Sequence, residues 1–268
     1  MRQGQGYLTI ACNTPDINYL QHAYLLAESI KDTQQINDIS LIANDRALAE
    51  IQDKHRKIFS NIIPIQVDET RKDFTAEAKV WHLSPYKQTI KIESDMIMSA
   101  SIDHWWSIMD AKDIVFTTDV FKHDGTMITD RSQRQLFDNN LLPNIYTGLY
   151  YFRFSKDSQA FFSLVNDIYN NWEWFKNNLK NCRYDHPVTD EVFAIAANIW
   201  GIERCTLSQS VPAFVHMKNP LLGLPKDAAW WEYLYYEKSN GNVRIGNHQQ
   251  HLPVHYCNKL FLEQCHDQ

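Results

Sequence analysis

The order of apolar segments in the first part of the chain most constrains its fold. Short runs of strand-forming residues at 7–12, 38–43 and 62–67 alternate with segments at 17–31 and 47–59, whose apolar residues recur at helical spacing. Strands that alternate with helices in this way form a parallel sheet with crossover helices. In such sheets ligands bind at the carboxyl ends of the strands, so we expect functional residues directly after strands.

The remaining segments extend this pattern into a single α/β domain over residues 1–268. The hydrophobic fraction of 44% and the charged fraction of 22% are those of a packed globular protein, which excludes global disorder. Further strands are predicted at 89–92, 114–117 and 149–154, and further helices at 161–179 and around Trp230, Trp231, Tyr233, Tyr235 and Tyr236. We therefore predict a Rossmann-like, mixed, mainly parallel sheet flanked by helices.

Several features predict a cytoplasmic protein that does not contact a membrane. The longest wholly apolar run, 193–197, is far shorter than the roughly 20 residues of a membrane-spanning helix. The first six residues lack the apolar stretch of a secretion signal. The cysteines are scattered without a CxxC pair, which is typical of reduced thiols: Cys12, Cys182, Cys205, Cys257 and Cys265. The spacing of Cys257 and Cys265 with His255 and His266 matches no common zinc pattern.

The net charge of −6 argues against tight non-specific binding of nucleic acid, because such binding depends on neutralising phosphates. A local basic groove is compatible with this charge. Its candidate residues are Lys54, Arg56, Lys57, Arg131 and Arg134. The alternative interpretation is that these side chains lie on solvated helix faces.

Common catalytic motifs are missing from the sequence. No Gly-rich loop follows the first predicted strand, so neither a dinucleotide-binding fingerprint nor a Walker phosphate loop is present. The same absence disfavours a sugar-phosphate nucleotidyltransferase. No Gly-x-Ser-x-Gly elbow occurs, so a serine hydrolase would lack its nucleophile.

The sharpest local signal is the acidic pair Glu93 and Asp95, separated by Ser94, at the end of the predicted strand 89–92. Two such side chains point to opposite sides within a strand, but at a bend into a loop both can reach one cation. Carboxylates suit Mn²⁺ or Mg²⁺, and these ions keep open positions for substrate phosphates. The alternative is a pair of surface acids without a ligand.

The segment around this pair resembles glycosyltransferases of the GT-A fold, particularly the glycogenin-like group and its phage-encoded relatives. In those enzymes a Lys and an aromatic residue shortly precede a strand that ends in Asp-x-Asp. Lys79, Trp81 and Tyr86 precede the strand here, and Glu93 stands in place of the first Asp. The resemblance covers about residues 7–218. It implies an enzyme that uses Mn²⁺ or Mg²⁺ and a nucleotide-sugar donor, with a UDP-sugar as the expected donor.

The resemblance also assigns donor-binding and catalytic residues. It implies that Asn13 and Thr14 grip the nucleotide after the first strand, and that Thr147 and Gly148 line the donor-sugar pocket. It places Asp190 beside the anomeric carbon, where this residue either contacts the acceptor or stabilises the reacting carbon. The implied stereochemical outcome is retention of configuration.

The resemblance also implies positively charged residues near the diphosphate and a third metal ligand. Lys79 and Lys218 are expected to hold the diphosphate. His216 and His255 each follow a short apolar run, and one of them is expected to be the third metal ligand, although a lone His is more often structural. We slightly favour His255, because the C-terminal extension 220–268 could close over the donor or acceptor site.

The identity of the acceptor is the most open part of the prediction. The segment 24–31 and the His-Tyr pair at 255–256 resemble phage-encoded glycosyltransferases, some of which modify hydroxymethylated cytosine. This likeness points to 5-hydroxymethylcytosine in phage DNA, flipped out and stacked on aromatic rings. The candidate acceptor-binding residues are Trp230, Trp231 and Tyr235. The alternatives are transfer to a saccharide or protein, and a nucleotide-sugar-binding protein without catalysis.

Overall fold

The computed structural model describes residues 2, 4–67, 74–208, 210–217, 233–237 and 241–257. The strands in this part of the chain are β1 (Gln5–Ala11), β2 (Ile39–Ala43), β3 (Asn61–Pro64), β4 (Gln88–Ile92), β5 (Met96–Ile97), β6 (Ile114–Thr117), β7 (Asp119–Phe121), β8 (Tyr146–Arg153), β9 (Ala213–His216), β10 (Leu234–Glu237), β11 (Asn242–Ile245), β12 (His248–Gln249) and β13 (Val254–His255). The α-helices are α1 (Tyr19–Thr33), α2 (Asp45–Ala49), α3 (Asp53–Ile58), α4 (Phe74–Glu77), α5 (Val80–Leu83), α6 (Asp103–Met109), α7 (Gln135–Asn139), α8 (Lys156–Asn170), α9 (Trp172–Asn178) and α10 (Thr189–Trp200). The predicted site residues Lys218, Trp230 and Trp231 lie outside the described residues.

A six-stranded sheet forms the centre of the described structure, in the order β3–β2–β1–β4–β8–β6. The strands β3, β2, β1 and β4 pair in parallel, and β8 runs antiparallel to both β4 and β6. The predicted α/β fold with a mixed, mainly parallel sheet is therefore confirmed. Because β1, β2 and β4 end at the same edge of this sheet, the loops that follow them share that edge.

Side chains on the two faces of the central sheet pack into separate buried layers. Tyr150 and Phe152 of β8 contact Phe162 of α8, and Tyr150 also contacts Phe193 of α10. Tyr151, which lies between them in the strand, belongs to the opposite layer with α1 and α6. This alternation is the period of two of a strand that is buried on both sides. Helices on both faces thus hold β4 and β8 in place.

Two of the predicted helices are divided in the structure. The predicted helix 47–59 is divided into α2 and α3, and the predicted helix 161–179 is divided into α8 and α9 at Asn171. Apolar spacing continues across each break, so periodicity alone did not locate it. The long helices α1 and α8 have 15 residues each, and none of the described helices is both long and apolar enough to cross a membrane.

A second, four-stranded sheet holds the loop that follows β4, in the order β5–β13–β9–β7. In its register, His255 of β13 lies opposite His216 of β9. The amide of Tyr256 donates to the carbonyl of Asp95 at 3.2 Å, and the Tyr256 hydroxyl lies 2.5 Å from His22 Nδ1 of α1. These contacts bring β13, which comes late in the chain, to the carboxyl end of β4.

The segment Leu234–Glu237 is a strand, so the helix predicted around it is wrong for these residues. It forms β10, which pairs with β11 in a small sheet that also contains β12. Leu234 is buried and Tyr235 is 44% exposed, which is the alternation of a surface strand. Consecutive tyrosines also favour strands, a preference that the helical reading of the aromatic residues overlooked.

Candidate metal and donor site

Glu93 and Asp95 lie in the loop between β4 and β5, at the edge of the central sheet where we expected functional residues. The Glu93 amide donates to the Gly148 carbonyl of β8 at 2.8 Å, and the Asp95 carbonyl accepts from the Tyr256 amide. The side chain of Asp95 is 7% exposed and that of Glu93 is 31% exposed. The loop is therefore bound to both sheets, which fixes the direction of the two carboxylates.

His255 contacts both carboxylates. Its Nε2 lies 3.1 Å from Asp95 Oδ2 and 3.2 Å from Glu93 Oε2, and the ligand atoms of the three residues lie within 4.8 Å of one another. Burial by itself lowers the pKa of this imidazole, but Coulombic interactions with Asp95, Cys257 and Glu93 outweigh burial and hold the pKa well above its ordinary value. Two carboxylates and one imidazole at these distances fit Mn²⁺ or Mg²⁺.

His216, the other candidate ligand, stacks on His255. The two rings have centroids 5.0 Å apart and planes inclined by 22°. The Nδ1 of His216 lies 3.4 Å from the sulfur of Cys257, and among the described residues His216 groups with Cys257 and His255 rather than with the acidic pair. In the register between β13 and β9, His255 therefore contacts the two carboxylates, and His216 contacts the ring of His255.

Asp190 lies in the first turn of α10, and both of its carboxylate oxygens accept hydrogen bonds. Its Oδ1 accepts hydrogen bonds from the Thr147 amide at 3.0 Å and the Thr147 hydroxyl at 2.6 Å. Its Oδ2 accepts from Arg134 Nη2 at 2.8 Å, and the Arg134 guanidinium lies 3.9 Å from the centre of the Tyr146 ring. The carboxylate is therefore fixed in orientation, and its charge is partly balanced by Arg134.

One cavity of about 180 Å³ is lined by Glu93, His255 and Asp190, among other residues. A Cβ on Gly148 would lie 2.8 Å from Met96 Cε and 3.3 Å from Glu93 Oε2, so β8 passes this close to the acidic pair only because residue 148 is glycine. The predicted site residues that line the cavity are Glu93, Thr147, Gly148, Asp190, His216 and His255. The structure therefore brings together predicted residues that are widely separated in sequence.

A second cavity of about 650 Å³ adjoins the first. The two share Tyr146, Val188, Asp190 and His216. The larger cavity is lined mainly by charged and polar groups, among them Asp130, Arg134, Arg183, Tyr184 and Glu191. The larger cavity therefore adds polar space next to Asp190.

A buried ion pair lies close to these residues, and the sequence analysis did not identify it. Lys91 of β4 has no solvent exposure and pairs with Glu77 at the end of α4. The Lys91 ammonium also lies 3.4 Å from the Thr147 carbonyl. Burial raises the pKa of Glu77, and Lys91 opposes this effect without cancelling it. A lysine in an alternating strand is usually solvent-exposed, so the pattern gave no sign of a buried pair.

The residues predicted to grip the nucleotide are engaged in local contacts. Asn13 is 3% exposed; its side chain accepts from the Leu20 amide at 3.0 Å and donates to Glu50 at 3.1 Å. The Thr14 hydroxyl oxygen accepts from the Ile17 amide at 3.0 Å. The Asn13 side chain thus links the segment after β1 to the start of α1 and the end of α2.

Two further predicted binding residues lie on the surface. Lys79 is exposed immediately before α5. Tyr235 is 44% exposed on β10, and the Arg244 guanidinium lies 5.4 Å from its ring centre. Neither side chain lines the two cavities around Asp190.

Comparison with known proteins bears on the fold. No protein-family model and no curated protein matches this sequence. The structure is similar to that of mouse xyloside xylosyltransferase 1 in its apo form, with 11% sequence identity, a TM-score of 0.52, and coverage of 94% of this chain and 97% of that chain. It is also similar to the glycosyltransferase GlyE of Streptococcus pneumoniae TIGR4, with 10% identity and a TM-score of 0.47 over 77% of this chain. The matched part is 46% of the GlyE chain. The similarity to the mouse protein shows that this chain has the α/β architecture of GT-A glycosyltransferases.

Proposed function

We propose that this protein is a metal-dependent glycosyltransferase that moves a sugar from a nucleoside diphosphate sugar to an acceptor hydroxyl. One observation carries the proposal: two members of the group Glu93, Asp95 and His255, namely Glu93 and His255, line the cavity that Asp190 also lines. A cation site next to a fixed carboxylate, at the carboxyl end of a parallel strand, supplies what transfer of a glycosyl group from a diphosphate needs.

The proposed cation is Mn²⁺ or Mg²⁺, held by Glu93, Asp95 and His255. When bound, such an ion neutralises negative charge on a departing diphosphate. The loop contacts to β8 and β13 keep the carboxylates in place before the substrate arrives, so little reorganisation is needed on binding.

We propose that the donor, a UDP-sugar, lies along the sheet edge formed by the loops after β1, β2 and β4. In this arrangement Asn13 supports the nucleotide-binding loop through its hydrogen bonds, and Thr14 is the neighbouring partly exposed contact. Lys79 supplies positive charge near the diphosphate, together with Lys218 from outside the described residues. Thr147 and Gly148 line the space for the sugar.

Asp190 is proposed to stabilise the reacting anomeric carbon in a transfer that retains configuration. Its two oxygens are already hydrogen-bonded to Thr147 and Arg134, which suits a fixed negative charge beside a developing positive carbon.

Substitution of Arg134, with Arg131 as a matched control, tests this proposed role of Asp190. Arg134→Gln should lower kcat for donor turnover by roughly 10- to 100-fold, because a displaced carboxylate no longer faces the reacting carbon correctly. Arg131→Gln is the control. Arg131 pairs with Asp138 of α7, which is exposed, so this variant should change kcat little. Steady-state kinetics on folded proteins would measure both; equal kcat values for the two variants and the unmodified protein would contradict the role of Asp190.

The two histidines give a second test. His255→Ala should raise the Mn²⁺ concentration for half-maximal donor turnover by about 10-fold or more, because His255 Nε2 contacts both carboxylates. His216→Ala should change this concentration much less. If the Mn²⁺ titration curves of both variants match that of the unmodified protein, the third ligand lies elsewhere.

For the acceptor, charge distribution favours a saccharide hydroxyl over hydroxymethylated phage DNA. Arg131 and Arg134, two of the cations expected to form a DNA groove, are bound by Asp138 and Asp190. The 650 Å³ cavity combines arginines with acids, and such a mixed polar lining suits the hydroxyl groups of a sugar. Of the aromatic residues predicted to stack on a flipped base, Trp230 and Trp231 lie outside the described residues, and Tyr235 lines neither cavity.

The experiment that tests the function measures donor turnover and acceptor choice together. A panel of nucleotide sugars is first screened by thermal shift with and without Mn²⁺, since a ligand that binds the folded state raises the melting temperature. The donor selected is then incubated with oligosaccharides, protein, and duplex DNA with or without 5-hydroxymethylcytosine, and products are identified by mass spectrometry. Stabilisation by a donor without Mn²⁺-dependent turnover would indicate a non-catalytic binding protein instead.

A further inference from the structure

We propose that His216, His255 and Cys257 form a second metal site that takes a thiophilic divalent cation such as Zn²⁺. His216 ends β9, His255 ends β13, and Cys257 follows two residues later. The ligand atoms of the three residues lie within 4.8 Å of one another, and both histidines are 9% exposed. Pairing of β13 with β9 brings these residues together, and their spacing along the chain does not resemble a zinc motif.

The geometry is already close to that of a zinc centre. With Zn–N distances of about 2.0–2.1 Å and a Zn–S distance of about 2.3 Å, ligand atoms around a tetrahedral ion lie about 3.5 Å apart. The Cys257 sulfur and His216 Nδ1 are 3.4 Å apart. A small movement of His255 therefore completes three of the four positions.

A separate observation points to an absent ligand. His255 Nδ1 is buried and has no hydrogen-bond partner among the described residues, whereas its Nε2 contacts the acidic pair. A buried ring nitrogen without a partner is costly, and a metal ion is one of the few groups that can satisfy it. A neutral imidazole offers a lone pair through one nitrogen only, so when Nδ1 binds Zn²⁺ the Nε2 keeps its proton and faces the carboxylates of Glu93 and Asp95.

The donor atoms select the ion. One sulfur and two imidazole nitrogens favour a borderline or soft ion such as Zn²⁺, whereas the carboxylates of Glu93 and Asp95 favour Mn²⁺ or Mg²⁺. On binding, the Cys257 thiol releases its proton to solvent and the sulfur donates an electron pair to the cation, with no change in oxidation state.

The two sites are coupled because they share His255. Zn²⁺ on Nδ1 leaves Nε2 protonated and so removes this ligand from the site at Glu93 and Asp95, and the Zn²⁺ charge also repels a second divalent ion there. Coupling is reciprocal, so Zn²⁺ raises the Mn²⁺ requirement by the same factor by which Mn²⁺ weakens Zn²⁺. Under the proposed function, Zn²⁺ at this site is an inhibitor that acts against Mn²⁺.

Cobalt provides a test that needs no donor substrate. Metal-free protein is titrated with Co²⁺, which gives a thiolate-to-metal charge-transfer band in the near ultraviolet when sulfur is a ligand, and Zn²⁺ is then added to displace it. We expect one thiolate-bound Co²⁺ per chain. Cys257→Ser should abolish the band and weaken Zn²⁺ binding by about 100-fold or more, and His216→Ala should weaken it by about 10- to 100-fold.

Two other cysteines serve as controls. Cys182→Ser and Cys265→Ser should keep the band, since the proposed site uses neither of these cysteines. Absence of the band from the unmodified protein, its persistence in Cys257→Ser, or its loss in Cys265→Ser would each overturn the proposal. Circular dichroism of each variant establishes that a lost band does not come from unfolding.

A final measurement distinguishes failure of the proposed Zn²⁺ site from failure of the proposed glycosyltransferase activity. If donor turnover is found, its Mn²⁺ titration is repeated at fixed Zn²⁺, and the half-maximal Mn²⁺ concentration should rise in the unmodified protein but not in Cys257→Ser. If no turnover is found, the cobalt spectra still decide whether the metal site exists.

Discussion

Asp95→Asn is expected to lower donor turnover by about 100-fold or more. Asp95 is 7% exposed and lies 3.1 Å from His255, so in the proposed site it is a direct ligand whose charge cannot be replaced by water. Loss of a charged ligand costs several kcal/mol of leaving-group stabilisation, and each 1.4 kcal/mol, roughly, is a factor of ten in rate. Hydrolysis of the donor without acceptor, measured across a range of Mn²⁺ concentrations, shows the effect directly.

Asp157→Asn is the matched control for this variant. Asp157 pairs with Arg204 on the surface, where both side chains are about half exposed, and its removal should leave turnover unchanged. Glu93→Gln should show a smaller loss than Asp95→Asn, because Glu93 is more exposed. Full activity of Asp95→Asn in the presence of a chelator would falsify the metal model.

Lys91→Met is expected to lower the free energy of unfolding by about 3–5 kcal/mol. The substitution leaves Glu77 buried without its partner, and an uncompensated buried charge is strongly destabilising. Urea denaturation would measure the loss. The double variant Lys91→Met with Glu77→Leu should recover most of the stability, because an apolar pair of similar volume has no charge to desolvate.

The pH dependence of the Lys91→Met variant gives an independent check. Burial already raises the pKa of Glu77, and in the described part of the chain Lys91 is the group that opposes this shift. The folded state then holds a proton on Glu77 at pH values where the unfolded state has lost it, so stability increases as pH falls through the folded-state pKa of Glu77. We expect the stability loss to be largest at alkaline pH. A loss below 1 kcal/mol, or one that grows as pH falls, would contradict a buried Glu77–Lys91 pair.

The alternation of strands and helices was sufficient to predict the central sheet. Each of β1, β2 and β4 is a short segment that contains strand-forming residues such as Ile, Thr and Tyr and is followed by polar residues, and most positions of the three strands are buried. The position of Glu93 and Asp95 after β4 followed from the same pattern. The short strand β10 could not be predicted in this way, since four residues with three aromatic or apolar side chains fit a helix or a strand equally well.

Contacts between distant segments account for what the sequence did not show. Arg134 reaches Asp190 across 56 residues, and Lys91 reaches Thr147 across the same number. The choice between His216 and His255 depends on the register of β13 against β9 and β5, and register between separate strands leaves no mark in the spacing of residues along the chain. For the same reason, no spacing rule associates His216 with Cys257.

The place of β13 between β5 and β9 also sets the order of events during synthesis. A ribosome makes the chain from the N-terminus, so the central sheet and the loop with Glu93 and Asp95 are complete long before His255 is added. Until β13 inserts beside β5, the nascent chain has two neighbouring carboxylates with no imidazole between them, and they repel each other. Insertion of β13 relieves this repulsion and joins β5 to β9, so the last described strand to be synthesised is the one that completes the proposed cation site.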